Sequence, residues 1–387
     1  MTLGKLWRLS VAVAMAAAIL PLQAGVDSFR EGVAVPIGQR TATLVSRDTL
    51  PLVDNEYSRR FRFDQFENPK LQELRLRHGL DAVVSPGRDE FERQLLLMDW
   101  THRQFTRFGR PSTNVQGALE ILQAIQNGHT FFCSQYAQLM VSAAASLGWV
   151  DRPLALRRHQ GVAAVGGSTE HSVTEIWSNQ HSKWVMLDPT SNLYLETNGV
   201  PLNAVEIRQE WFYHSGTNLV FRVGRDRQRY RKADLPIRLR HFDDFGELAI
   251  HPDELDKYGF TAFIPNTDLM DSGFDYGGMF LVKDSLCDGT TWHVRTVPQN
   301  PASDPYFPVG QAAMELTPEK EGIRVSLRTM TPNFLRFEMR KDNGAWTATD
   351  ASFPWEVRVG RNRMEARTVN RFGVSGPVAA SVIEVSP

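Results

Sequence analysis

Three residues of this chain carry side chains that together could transfer an acyl group: the thiol of Cys133, the imidazole of His171 and the carboxylate of Asp188. Cys133 follows Gly128-His129-Thr130-Phe131-Phe132 and precedes an alanine-rich run to Leu147, the place of a residue that starts a buried helix. Unpaired amides at a helix N-terminus lower a thiol's pKa, and a lowered pKa makes a nucleophile. A lone cysteine ahead of an apolar helix is also an ordinary small core residue, so a nearby base has to decide between the two. His171 opens a strand expected over 172–177, and Asp188 closes a second over 183–187, with Ser178 to Ser182 as a polar turn. If the turn is centred between Asn179 and Gln180, opposed residue numbers sum to 359 and His171 faces Asp188 directly. Their Cβ atoms then stand about 5 Å apart on one sheet face. The carboxylate can fix the imidazole tautomer and leave the other ring nitrogen for the thiol. A turn longer or shorter by one residue would send Asp188 to the opposite face.

The elements that must hold these residues follow from periodicity. Phe91, Leu95, Met98, Phe105 and Phe108 recur at helical spacing from Asp89 until Gly109-Arg110-Pro111 stops them. Val115 to Gln126 predicts a second helix ending at Asn127-Gly128, and Cys133 to Leu147 a third closed by Gly148. After residue 150 the period changes to that of strands. Short alternating runs return from Glu321 onward, with an Asn343-Gly344 turn, and suggest a small β-sandwich of immunoglobulin or fibronectin type.

The run Phe132-Cys133-Ser134-Gln135-Tyr136-Ala137 with Leu147-Gly148, the strand His171-Ser172-Val173-Thr174-Glu175-Ile176-Trp177 and the strand Trp184 to Thr190 resemble the transglutaminase-like core of the papain-like cysteine enzymes. The resemblance covers roughly residues 86 to 200, with three motifs in order. It implies an α+β fold with an antiparallel sheet on a central Cys-bearing helix. It also implies Cys133 as nucleophile, His171 as general base and acid, and Asp188 as the residue orienting His171. Two departures stand out: Trp149-Val150-Asp151-Arg152-Pro153 replaces the usual arginine context, and Ser172 stands where the family often has alanine. The implied mechanism passes through a thioester, resolved by water in hydrolysis or by an amine in transfer. The Cys133 amide is one expected oxyanion donor; Asn127 is more simply a helix cap than the second.

The chain has 387 residues, 42% of them apolar, enough for a large core and two to three domains. With 43 basic against 44 acidic residues, no electrostatic footprint for nucleic acid exists. The two cysteines form no disulfide framework, and Cys287 reads as structural or incidental, although a bond to Cys133 would silence the nucleophile. Spacings among His129, His159 and His181 match no zinc pattern, so neither metal nor other cofactor is expected. Trp177, Trp184 and Trp211 read as core, and the basic run Arg225 to Lys232 as a solvated or ion-paired strand.

Lys5 and Arg8, the apolar run Val11 to Leu22 and then Gln23-Ala24-Gly25 have the layout of a secretory signal peptide, too short to span a bilayer. The expected product is secreted or periplasmic with no membrane span once residues 1–24 are removed; an uncleaved anchor is the alternative. The remaining division is an N-terminal extension over 25–85, the catalytic core over 86–200, an irregular extension over 201–315 and the sandwich over 316–387. Expected partners are a peptide, protein or cell-wall substrate, with polysaccharide or surface contact through the sandwich. A non-catalytic binding or scaffold module is the competing reading. Trp346 and Trp355, if exposed and coplanar, would favour carbohydrate binding by the sandwich.

Overall fold

The computed structural model describes residues 29–158, 170–282, 299–300 and 303–387; the leader expected over residues 1–24, His159 and Cys287 fall outside them. Helices and mostly antiparallel sheets are mixed in an α+β arrangement. Helices α1 (Glu56–Arg60), α2 (Pro69–Arg77), α3 (Leu80–Val84), α4 (Glu90–Gln104) and α5 (Ala118–Gln126) precede α6 (Cys133–Ser146). Side chains of Asn55, Asn68 and Asp89 accept hydrogen bonds from first-turn amides and so start α1, α2 and α4. α4 stops at Gln104, short of the expected end, because Phe105 is already extended. Phe105 and Phe108 keep their apolar role from outside the helix: Phe105 stacks on Tyr136 at 3.6 Å, and Phe108 bridges to Phe131. Burial, not helical geometry, was what their spacing carried.

α6 is enclosed along its length, with Leu139, Met140, Ala143 and Ala144 fully buried. Its alanines let α2, α4 and α5 approach one side and the strand Glu170–Ser178 the other. That strand belongs to a six-stranded sheet ordered Gln299–Asn300, Phe280–Val282, Phe260–Phe263, Asp151–Arg157, Glu170–Ser178 and Lys183–Leu187. The hairpin read from the sequence is therefore one edge of a larger sheet. Residues 201–315 are not an irregular extension: they supply α7 (Ala204–Tyr213) and three strands of this sheet. Those strands run only two to four residues, too few to show a period.

Arg152 directly opposes Glu175 across the sheet, and the pair, 2.6 Å apart, is fully buried. The guanidinium lies 4.0 Å from the Trp184 ring centre and 4.6 Å from that of Phe263, which shields a charge that would be costly alone. The basic run is engaged as well: Arg227 donates to the carbonyls of Leu95 and Gly224, and Lys232 lies 4.1 Å above Trp211.

The carboxy-terminal strands build two sheets around one apolar cluster that includes Met314, Val325, Trp355, Met364 and Ile383. The larger sheet takes strands Ala34–Ile37 and Arg40–Asp48 from the chain's beginning, the second pairing with Ala379–Ser386. The N-terminal extension read over 25–85 is thus divided, its first part completing the distant sheets. Trp355 is core, and Trp346 is clamped between Arg340 and Arg367 at 4.6 and 4.3 Å, so the two form no coplanar platform. These sheets dock on the C-terminal end of α6, where Asn370 Nδ2 donates to the Gly148 carbonyl at 2.8 Å. No helix among the described residues is long and apolar enough to cross a membrane.

Candidate active site

Cys133 is the first residue of α6, and the residue before it, Phe132, makes no capping bond to the helix. A serine, threonine or aspartate at that place would typically stabilise a helix by about 1 kcal/mol. Phe132 forgoes this and leaves the first-turn amides and their partial positive charge beside the sulfur. The thiol is reduced and half-buried.

The structure brings His171 and Asp188 to that thiol, though by another register than expected. Thr174 pairs with Leu187 and Glu175 with Met186, so opposed numbers sum to 361, not 359. The loop Asn179 to Ser182 is centred one residue later, with Ser182 at φ 51° supporting the tighter return. A one-residue shift in centre moves every partner by two, which preserves the face. His171 and Asp188 are therefore diagonal neighbours, and the imidazole closes the gap: Nε2 lies 2.9 Å from Asp188 Oδ2. Asp188 Oδ1 in turn accepts the amides of Thr190 at 2.9 Å and Ser191 at 3.1 Å. The carboxylate is thus held at both oxygens while 5% exposed.

With Nε2 engaged by Asp188, Nδ1 is the ring nitrogen left for the sulfur. Desolvation works against charge on all three groups, and their mutual attraction outweighs it. For His171, desolvation pulls down, but the Asp188 charge and hydrogen bond, with the Cys133 contact, raise the imidazole from its ordinary 6.5 to about 10. For Cys133, desolvation pushes up, yet the His171 hydrogen bond and charge, aided by the Ser172 amide and hydroxyl, bring the thiol below its ordinary value. Asp188 is likewise depressed, with burial opposed by the His171 charge and hydrogen bond. Each shift favours the charged form of its group, so the contacts among sulfur, imidazole and carboxylate act toward a thiolate–imidazolium pair steadied by the carboxylate.

Sequence reading missed three contributors. Ser172 presents its amide and hydroxyl to the sulfur from the histidine strand, and its departure from alanine was the only signal. His102, on α4, has Nδ1 3.0 Å from the Thr190 carbonyl and 3.2 Å from that of Pro189, on the turn that carries Asp188. Tyr276 stands close enough for the Cys133 charge to act on its phenol, which desolvation, the larger cause, pushes up to about 12. Asn127 is a helix cap: its amide donates to Gln123 and its side chain accepts from the same residue. His129 bonds Ser112, while His181 packs edge-on against Phe91, so these histidines do not converge. No group of three His, Cys, Asp or Glu that could hold a metal ion occurs among the described residues.

No family model matches the chain, and no curated protein matches it at a significant level.

Proposed function

We propose that this protein is a cysteine-dependent acyl-transfer enzyme of the transglutaminase-like type, acting on amide groups of a peptide, protein or cell-wall substrate. The observation that carries the reading is the 2.9 Å contact between His171 and a doubly anchored Asp188, beside a thiol whose pKa is lowered at an uncapped helix start. Sulfur attacks the amide carbonyl, and the open amides of the first α6 turn meet the developing oxyanion. The His171 imidazolium gives its proton to the departing amine as the C–N bond breaks, leaving a thioester. Neutral His171 then removes a proton from water or from an acceptor amine, whose attack frees Cys133. The leader-like start supports an exported enzyme, and the carboxy-terminal sheets a surface or partner contact of immunoglobulin-like type.

Cys133 alkylation by iodoacetamide, followed across pH, tests the nucleophile. Under this reading the rate stays high at pH 6 to 7; a rate that appears only above about pH 8, as for a free thiol, rejects it. Mass spectrometry of protein incubated with glutamine-containing peptides and cell-wall peptides then looks for an acyl adduct on Cys133 that is lost in Cys133→Ala. A non-catalytic module would give neither signal.

A further inference from the structure

Exposed aromatic rings stand at the start of α6: Phe132 at 37% exposure and Phe245 at 49%, while Tyr276, at 38%, lies where the Cys133 charge reaches its phenol. Phe132 immediately precedes Cys133. Phe245 comes from far along the chain, at the tip of the hairpin formed by Ile237–Phe242 and Gly246–Ile250. Phe108 joins them, its ring 5.7 Å from Phe132 and 4.6 Å from Phe245, with Phe242 beneath at 5.7 Å. The hairpin is pinned in this position, because Arg107 pairs with Asp244 at 3.0 Å and Arg240 donates to the Phe105 carbonyl at 2.8 Å. Those contacts also occupy the nearby cations: Arg107 further donates to the Gly128 carbonyl, and Arg240 stacks on Phe242. The surface at the start of α6 therefore offers aromatic faces, with Arg107 and Arg240 already engaged by a carboxylate, carbonyls or a ring.

Keeping large aromatic rings in water beside a nucleophile has no benefit for folding, and exposed apolar surface at a site marks what the site receives. Resting on the acyl-transfer reading above, we infer that Phe132, Phe245 and Phe108 form the subsite for an apolar side chain next to the reacting amide. The acyl donor is then a peptide or protein segment with an aromatic or large aliphatic residue beside that amide. Bare glycan strands are poor fits, having no apolar bulk for the rings.

Two alkylating probes separate this inference from the reading it rests on. The iodoacetamide rate reports the thiolate; the ratio of N-benzyl-iodoacetamide to iodoacetamide rates on the Cys133 peptide, read by mass spectrometry, reports the patch and cancels changes in thiol reactivity. The ratio should exceed that of N-acetylcysteine by about tenfold or more, the amount expected from covering one aromatic ring. Phe245→Ala should return it most of the way, Phe245→Leu only partly, and Phe334→Ala, an exposed ring on the distant sheets, should leave it alone. Because Phe245 is half exposed, its truncation leaves the core intact. A ratio equal to that of N-acetylcysteine, or one that Phe245→Ala and Phe132→Ala both fail to lower, overturns the inference whether or not iodoacetamide finds an activated thiol.

Discussion

The two ends of α6 are made differently. At its first residue the helix is uncapped, polar amides stay open, and a half-buried thiol meets charged partners from another element. At its last turn Leu147 and Gly148 are buried, and the Gly148 carbonyl is bonded by Asn370 of the carboxy-terminal sheets. Fourteen residues at about 1.5 Å each separate the ends by roughly 21 Å. The carboxy-terminal sheets therefore do not line the thiol's surroundings; they secure the helix from behind. One end gives up stability to keep groups available, while the other uses every group it has. Substitutions at the two ends should accordingly separate stability from reactivity.

The largest stability effect is expected at the closed end. Gly148 has φ 81°, and a Cβ there would come within 2.4 Å of the Phe372 Cβ. Gly148→Ala combines left-handed strain with overpacking and should cost about 2–4 kcal/mol of unfolding free energy in a denaturant titration. Cys133 alkylation in the folded fraction should not change. A parallel loss of reactivity would show that the ends are coupled.

At the open end the expectation shifts to reactivity. His171→Ala removes the partner that stabilises the thiolate, and a free thiol is only about 3% ionised at pH 7. Alkylation there should fall by up to about thirtyfold, and stability should fall as well, because the buried Asp188 carboxylate loses its charged partner. The loss of reactivity is what sets this variant apart from Gly148→Ala. Asp188→Asn should act in the same direction and less, about tenfold, by removing the charge that holds the imidazolium. The pH dependence has a definite sign. The His171 value is raised from 6.5 to about 10, so the stability its charge contributes is complete below about pH 6.5 and disappears as pH rises through 10. Cys133 contributes with the opposite sign, since its depressed thiol has lost a proton that the unfolded thiol keeps up to about pH 9. The two offset each other through neutral pH, so the wild-type curve should slope downward between about pH 9 and 10 and flatten there in Asp188→Asn. An unchanged slope would mean that the imidazole is not charged in the folded protein.

The same contrast explains what could be read before the structure. α5 and α6 were legible because caps and glycines punctuate them: Asn127-Gly128 stops one and Gly148 the other. The meeting of His171 with Asp188 followed from strand alternation, which survives a two-number error in register because the side-chain period is two. The docking end was not legible. Asn370 and Phe372 lie more than 220 residues from Gly148, and no local pattern announces such a partner. The pairing of Arg40–Asp48 with Ala379–Ser386 was hidden for the same reason. Local chemistry carried the open end, whereas long-range pairing carried the closed one.

His102 offers the finest division between the two kinds of end, because it is half-buried, between them in exposure, and serves the open one. Its Nδ1 lies against two carbonyls, of Pro189 and Thr190, both acceptors, so that nitrogen carries the hydrogen. Desolvation, the leading cause, holds the ring below its ordinary pKa despite those bonds, which makes the neutral Nδ1–H tautomer the resident form. The same turn gives Asp188 its Thr190 and Ser191 amides, so His102 is a positioning residue two steps removed from the sulfur. His102→Leu leaves two buried carbonyls without a donor and should lower alkylation at pH 7 a few-fold, the upper pH limb moving down as Asp188 loosens. His102→Asn, with an amide NH₂ near the former Nδ1, should restore both rate and limb. If the two variants lose stability equally and share the wild-type pH profile, His102 belongs with the packing and the turn needs no such anchor.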